Sequence, residues 1–158
     1  MGKPSRDKGV RGELEVFKIF ENDIGVSLQR NTQAQYIDGD CDFRIGGFAC
    51  EIKRQETLSL GSWWKQVCKD AEGSQEVPAL IYRQSRQPWR VVIPFASVSP
   101  YLAKWCADCE TYHYEEWAED FDRTITMMLT PLFTDLVRER MSEEALHEML
   151  SDNTVLQH

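Results

Sequence analysis

The 158-residue sequence contains no long hydrophobic run. A membrane-spanning helix needs about 20 predominantly apolar residues, and no stretch approaches that length. The first residues are polar and charged, which is not the pattern of a signal peptide. The chain is 42% hydrophobic, which is enough to bury one sizeable core in a single domain. We therefore expect a cytoplasmic protein that does not associate with a membrane.

The sequence also lacks the even cysteine count that is typical of a disulfide-bonded secreted domain. It has five cysteines, and two of them, Cys41 and Cys50, fall in a predicted hairpin. A reducing compartment is the expected location.

Basic residues are scarce, and their distribution is uneven. The net charge of −8 argues at first sight against nucleic acid, because neutralisation of phosphates drives that binding. Residues 1–90, however, hold 14 Lys and Arg against 13 Asp and Glu, whereas residues 91–158 hold 4 against 13. The acidity therefore belongs to the C-terminal part, and the N-terminal part remains compatible with DNA binding.

The stretch Asp42–Lys53 is predicted to form a β-hairpin with charged residues on one face. Apolar and polar residues alternate on both sides of the Gly46-Gly47 pair, which is a strong signal for a two-residue turn. The alternation places Glu51 and Lys53 on one polar face, and Asp42 joins them if the apolar faces align. Two carboxylates can bind a hard divalent cation, and the lysine can steady a water molecule or a phosphate. An isolated E-x-K sequence is more often an exposed charged hairpin, so this interpretation depends on the whole pattern.

Asp42, followed after eight residues by Glu51-Ile52-Lys53, resembles the signature of the PD-(D/E)XK nuclease superfamily. The upstream segment Lys8–Glu15, with its K-G-x-x-x-E spacing, resembles the opening of the Holliday junction resolvase branch of the archaeal Hjc type. These motifs cover about the first half of the chain. The superfamily often has proline before the aspartate, whereas Cys41 occupies that position here.

The resemblance implies an endonuclease that uses Mg²⁺, for which Mn²⁺ can substitute. It assigns Asp42, Glu51 and the carbonyl of Ile52 to the metal, with Glu13 completing the shell directly or through water. Lys53 would orient the attacking water or stabilise charge on the phosphate.

Helical periodicity supplies a separate argument about Glu13. Val16, Phe17 and Phe20 lie three, four and seven residues after it, so Glu13 falls on the buried stripe of a first helix, whereas Glu15 points elsewhere. A carboxylate in that position needs a metal or a basic partner. The alternative is a frayed helix start, where Glu13 interacts only with the helix dipole.

The predicted elements match a restriction-endonuclease-like α/β core: a helix, a three-stranded meander, a second helix and two further strands. The second helix carries Gln66, a secondary site candidate because several branches of the superfamily use a glutamine or lysine there; a solvated helix residue is nearly as compatible. Besides the two hairpin arms, the predicted strands and second helix are Val26–Thr32, Leu58–Glu72, Pro78–Arg83 and Trp89–Pro94.

Residues 95–158 are predicted to form a mainly helical acidic extension, packed on a nuclease core of residues 1–94 within one domain. The pattern predicts a strand at Thr124–Leu129, a helix at Pro131–Arg140 begun by the proline, and a last helix that starts at Ser142.

Basic side chains outside the hairpin are candidates for holding the DNA backbone. The loop between the last two core strands combines arginines with Trp89, and an exposed hairpin tip is an equally good interpretation of that loop. The candidate DNA-binding residues are Arg6, Lys8, Arg11, Arg30, Arg83 and Arg86.

Cys106, Cys109 and His113 have a spacing that invites comparison with a zinc site. A fourth ligand and a second C-x-x-C motif are missing, so packed thiols are favoured over bound zinc.

Three functional hypotheses follow, and the third of them is a purely structural small α/β protein. The first is a Mg²⁺-dependent DNA endonuclease, structure-selective like a Holliday junction resolvase, which acts on branched DNA as a homodimer. The second is a non-catalytic DNA-binding or protein-interaction module with the same fold. Intact Asp42, Glu51 and Lys53 favour the first hypothesis, because a degenerate site has no physical reason to keep its carboxylates together.

Overall fold

The helices and strands follow one another in an α/β order. The computed structural model describes residues 3–29, 41–72, 74–98, 121 and 124–155. A 3₁₀ turn lies at Phe95–Ser97, and an irregular turn at Leu129–Phe133 precedes the last helix. The elements are α1 Lys3–Ile24, β1 Phe43–Ile45, β2 Phe48–Arg54, α2 Leu60–Asp70, β3 Val77–Arg83, β4 Arg90–Pro94, β5 Thr124–Met128 and α3 Thr134–Val155. None of the described helices is long and apolar enough to cross a membrane.

The five strands form one sheet in the order β1-β2-β3-β4-β5. Strands β2 and β3 are parallel and are joined by the crossover helix α2, whereas the other neighbours are antiparallel. Arg54 and Arg83, the last residues of the parallel strands, lie side by side. The carboxyl ends of β2 and β3 therefore share one edge of the sheet.

Hydrophobic side chains cover both faces of the sheet, which makes three layers. On one face, Phe20 of α1 makes edge-to-face contacts with the rings of Phe43 and Phe133, at centroid distances of 5.6 and 6.3 Å. On the other face, Trp64 of α2 is buried in a cluster with Leu80. The alternation along β3 and β4 divides their side chains between these two layers.

The turn between β1 and β2 packs against α3. Gly46 and Gly47 have φ angles of 55° and 76°, which favour glycine. A Cβ atom on Gly46 would lie 3.2 Å from Cγ1 of Val137 and 3.3 Å from its carbonyl oxygen. Glycine therefore allows both the turn and the close approach of the helix, and the predicted hairpin is confirmed.

The α/β fold class is confirmed, and two details of the prediction are corrected. The strand predicted at Val26–Thr32 is wrong for residues 26–29, which are irregular, and its remaining residues lie outside the described part of the chain. Ser142 does not begin a helix: its hydroxyl donates to the carbonyl of Arg138, one turn earlier in the continuous α3.

The described part of the C-terminal region also contributes to the sheet. The predicted strand at Thr124–Leu129 is confirmed as β5, which pairs with β4. The predicted domain boundary at residue 94 stays a prediction. Cys106, Cys109 and His113, the residues weighed as a zinc site, lie outside the described residues.

Candidate active site

Asp42 is tied to β2 through both its main chain and its side chain. Its N–H donates to the carbonyl of Cys50 at 3.0 Å, and its Oδ2 accepts from the N–H of Ile52 at 2.7 Å. The register of the hairpin explains this arrangement, because β1 begins at Phe43 and leaves the next N–H of β2 to the aspartate side chain. The N–H and C=O of one strand residue point to the same side, so the Ile52 carbonyl also faces the Asp42 side.

Glu51 and Lys53 lie on one face of β2, as the alternation predicts. The Lys53 ammonium donates to Oε1 of Glu51 at 2.8 Å, and their side chains are 28% and 14% exposed. Burial raises the pKa of Glu51 above its ordinary value, and Lys53 offsets only part of that shift. Burial alone would lower the pKa of Lys53, but Glu51, Asp42 and Asp70 outweigh it and raise the pKa. The lysine therefore stays protonated beside the carboxylates.

The surroundings of Asp42 disfavour the negative charge of its carboxylate. Burial raises its pKa from 3.8 to about 7; repulsion by Glu51 and Glu13 adds to the shift, while the Ile52 N–H and Lys53 oppose it. Crowded carboxylates in a half-buried site bind a cation favourably, because the cation relieves their repulsion. The donors at this site are hard oxygens, which suit Mg²⁺ or Mn²⁺.

The ligand set within the described residues is small. In that part of the chain, no group of three or more His, Cys, Asp or Glu side chains is arranged to hold a metal ion. The oxygens that fit a cation are those of Asp42 and Glu51, with the Ile52 carbonyl beside them. The predicted roles of these groups and of Glu13 as metal ligands stay predictions.

Glu13 and Glu15 of α1 lie on different sides of the helix. Glu13 acts electrostatically on both Asp42 and Glu51 and raises the pKa of each carboxyl. Glu15 instead contacts Arg54 and Arg83, at the ends of β2 and β3. Sequence reasoning separated the two residues correctly but gave Glu15 no role.

Gln66 contacts Asp70, a residue near the candidate site that sequence reasoning missed. The Gln66 side chain is exposed, and its Nε2 donates to Oδ1 of Asp70 at 2.7 Å. Asp70 is only 9% exposed, and its charge raises the pKa of both Glu51 and Lys53. A signal was present, because Asp70 falls three residues after the buried Val67 on the inner stripe of α2.

The candidate DNA-binding residues have different surroundings. The Arg83 guanidinium is bonded to Glu15, and Lys8 forms an ion pair with Glu56 at 2.5 Å. Arg11 and Arg86 are exposed, Arg86 at the β3–β4 turn. Trp89, the aromatic residue of the predicted basic loop, is buried at 6% exposure. Arg30 and the side chain of Arg6 lie outside the described part of the chain.

This fold and this pairing of carboxylates with a lysine define a class, the PD-(D/E)XK nucleases. Residues 4–143 match the model of the family described as "Phage putative PDDEXK endonuclease", and the chain belongs to that family. Protein D14 of Escherichia phage T5 is 26% identical over 116 residues, which cover 59% of this chain and 72% of that protein. No solved structure gives a significant match. The resolvase branch and the choice of metal stay predictions.

Proposed function

We propose that this protein is a Mg²⁺-dependent DNA endonuclease that hydrolyses phosphodiester bonds in branched DNA, as a Holliday junction resolvase does. The observation that carries the proposal is the meeting of Asp42, Glu51 and Lys53 on one surface of the hairpin, with the main chain of Ile52 between them. Membership of an endonuclease family supports the reaction class.

The chemistry assigns each group a task. A divalent ion held by Asp42, Glu51 and the Ile52 carbonyl would polarise the phosphate and make a water molecule more acidic. Lys53 is oriented by Glu51 and keeps its proton, so it can donate a hydrogen bond to the attacking water or to a phosphate oxygen. Glu13 approaches from α1 and adds a carboxylate that can bind the ion through water. Asp70 adds a negative charge from the side of α2 that acts on Glu51 and Lys53.

A substrate with two equivalent strands suits a symmetric enzyme. A four-way junction presents two such strands, so we infer that the protein acts as a homodimer. Exposed Arg11 and Arg86 would contact the backbone of the DNA. Light scattering of the DNA complex at micromolar concentration is expected to give a dimer; a monomer would favour a simple nicking enzyme.

The test compares three DNA substrates with and without Mg²⁺: a four-way junction, a linear duplex and a single strand. We expect cleavage only with the metal, and faster cleavage of the junction. Asp42→Asn should lose at least about a hundredfold in rate, whereas Asp135→Asn, on exposed α3 surface, should not. Equal cleavage of duplex and junction would contradict the selectivity. Binding without any cleavage would contradict catalysis and support a non-catalytic DNA-binding module.

A further inference from the structure

The Glu15 carboxylate accepts hydrogen bonds from three residues in distant parts of the chain. Its Oε1 accepts from Arg54 at 3.1 Å, and its Oε2 accepts from Arg83 at 2.9 Å and from the indole N–H of Trp89 at 3.3 Å. The Arg83 guanidinium also lies over the Trp89 ring, 5.5 Å from its centroid. One carboxylate thus joins α1 to the ends of β2 and β3 and to the residue before β4. We call Glu15, Arg54, Arg83 and Trp89 the Glu15 cluster.

The cluster depends on this carboxylate more than a surface ion pair would. The Arg54 and Arg83 side chains are only 16% and 24% exposed, and the Nε atom of each is buried without a hydrogen-bond partner. Two guanidinium groups therefore share the negative charge of Glu15. Without it, two half-buried positive charges would face each other, and they would push α1 away from the strand ends.

The helix also comes unusually close to the sheet beside the cluster. Gly12, one turn before Val16, is buried, and a Cβ atom on it would lie 3.3 Å from Cβ of Arg54 and 3.4 Å from the Trp89 ring. This close approach leaves α1 little freedom to slide or rotate there. Glu15 and Gly12 therefore both restrict the orientation of the helix beside the cluster.

Glu13 lies between these two residues in sequence. Successive helical residues differ by about 100°, so Glu13 falls on the buried stripe of α1, whereas Glu15, about 160° away, lies at its edge beside Gly12. Glu13 acts electrostatically on Asp42 and Glu51, whereas Glu15 is hydrogen-bonded to the cluster at the ends of β2 and β3. A rotation of α1 that released Glu15 would also move Glu13 away from the two carboxylates.

We propose that Glu15 is a positioning residue: by holding Arg54, Arg83 and Trp89, it sets the rotation of α1 that presents Glu13 to Asp42 and Glu51. The proposal rests on the proposed function in naming that group of carboxylates as the active site. It adds that Glu13 is positioned indirectly, through an ion cluster that includes none of the proposed metal ligands.

The test is a metal-free double-mutant cycle in the full chain, in EDTA, at a pH well above the pKa of Asp42. Glu13→Gln and Asp42→Asn each remove one partner of the same repulsion. The double variant should therefore gain less in melting temperature than the sum of the single gains. When the same four proteins also carry Glu15→Gln, we expect this non-additivity in melting temperature to fall by at least half. Glu21→Gln, an exposed control on the same helix, should leave it unchanged.

The cycle separates positioning from simple stability. A merely structural role would lower all four melting temperatures alike, and unchanged non-additivity in the Glu15→Gln background would overturn the proposal. If Glu15→Gln does not fold, Arg83→Lys serves instead, because it shifts one donor and keeps the charge. We expect the non-additivity to fall by at least a third in that variant, and an unchanged value would again overturn the proposal.

A metal-binding experiment tests the proposed metal site separately from the positioning role of Glu15. Calorimetric titration with Ca²⁺, which probes binding without turnover, should give a weaker affinity for Glu15→Gln than for the wild type, by about tenfold. Absence of Ca²⁺ binding in the wild type would count against the proposed metal site. The double-mutant cycle in EDTA needs no metal, so it would still test the positioning role of Glu15.

Discussion

Replacing Asp42 with asparagine should stabilise the metal-free protein at alkaline pH, although we expect the same change to abolish cleavage. The pKa of Asp42 is raised from 3.8 to about 7, mainly by burial, with repulsion from Glu51 next. At pH 8 the folded protein must therefore hold a charge that its surroundings disfavour. Asparagine removes this charge and keeps a side-chain oxygen that can accept from the Ile52 N–H.

The sign of the pH dependence follows from the raised pKa. The unfolded state loses the Asp42 proton near pH 3.8 and the folded state near pH 7. The protonated carboxyl therefore contributes its full stability below pH 3.8, and this contribution is lost as the pH rises through 7. The difference between the two pKa values corresponds to at most about 4 kcal/mol. Asp42→Asn lacks this titration. The difference in free energy of unfolding between Asp42→Asn and the wild type should therefore grow from near zero at about pH 4 to roughly 2 to 4 kcal/mol at pH 8.

Urea unfolding in EDTA across this pH range measures the gain. Asp135→Asn is the matched control, because its carboxylate is 52% exposed and is paired with Arg138 on the surface; we expect a change below about 1 kcal/mol, with no such pH dependence. Added Mg²⁺ should stabilise the wild type and not Asp42→Asn, because the proposed metal site includes the Asp42 carboxylate. Equal or lower stability of Asp42→Asn at pH 8 would refute the electrostatic reasoning.

Three further predictions concern single residues. Lys53→Ala should abolish cleavage while DNA is still bound, because the proposed hydrogen-bond donor to the phosphate is lost. Gel-shift assays of DNA binding, compared with cleavage rates, check this, and retained cleavage would exclude Lys53 from the reaction. Glu13→Gln should raise the Mg²⁺ concentration needed for half-maximal cleavage, whereas Glu21→Gln on the exposed side of α1 should not; identical metal curves would remove Glu13 from the site. Gly46→Ala should destabilise the protein by about 2 kcal/mol in urea unfolding, since alanine is strained at φ 55° and would press on α3. An unchanged stability would show that the turn relaxes.

Local patterns predicted the hairpin and the groups it carries. The alternation of side chains and the Gly46-Gly47 pair are properties of a few neighbouring residues, and they suffice to place Glu51 and Lys53 on one face. The helical phase of Glu13 and Glu15 is local in the same sense. The predicted strand that became β5 was also recognisable, although no local pattern could name β4 as its partner.

By itself, then, the sequence determined the hairpin, its charged face and the different directions of Glu13 and Glu15 on α1, because each depends only on backbone geometry over a few residues. Tertiary structure decided which distant groups meet those side chains. Glu15 contacts residues 39, 68 and 74 positions away, and Asp70 reaches the site only because α2 packs across β2 and β3. These long-range contacts depend on how the helices pack on the completed sheet, and the spacing of residues along the chain does not predict that packing.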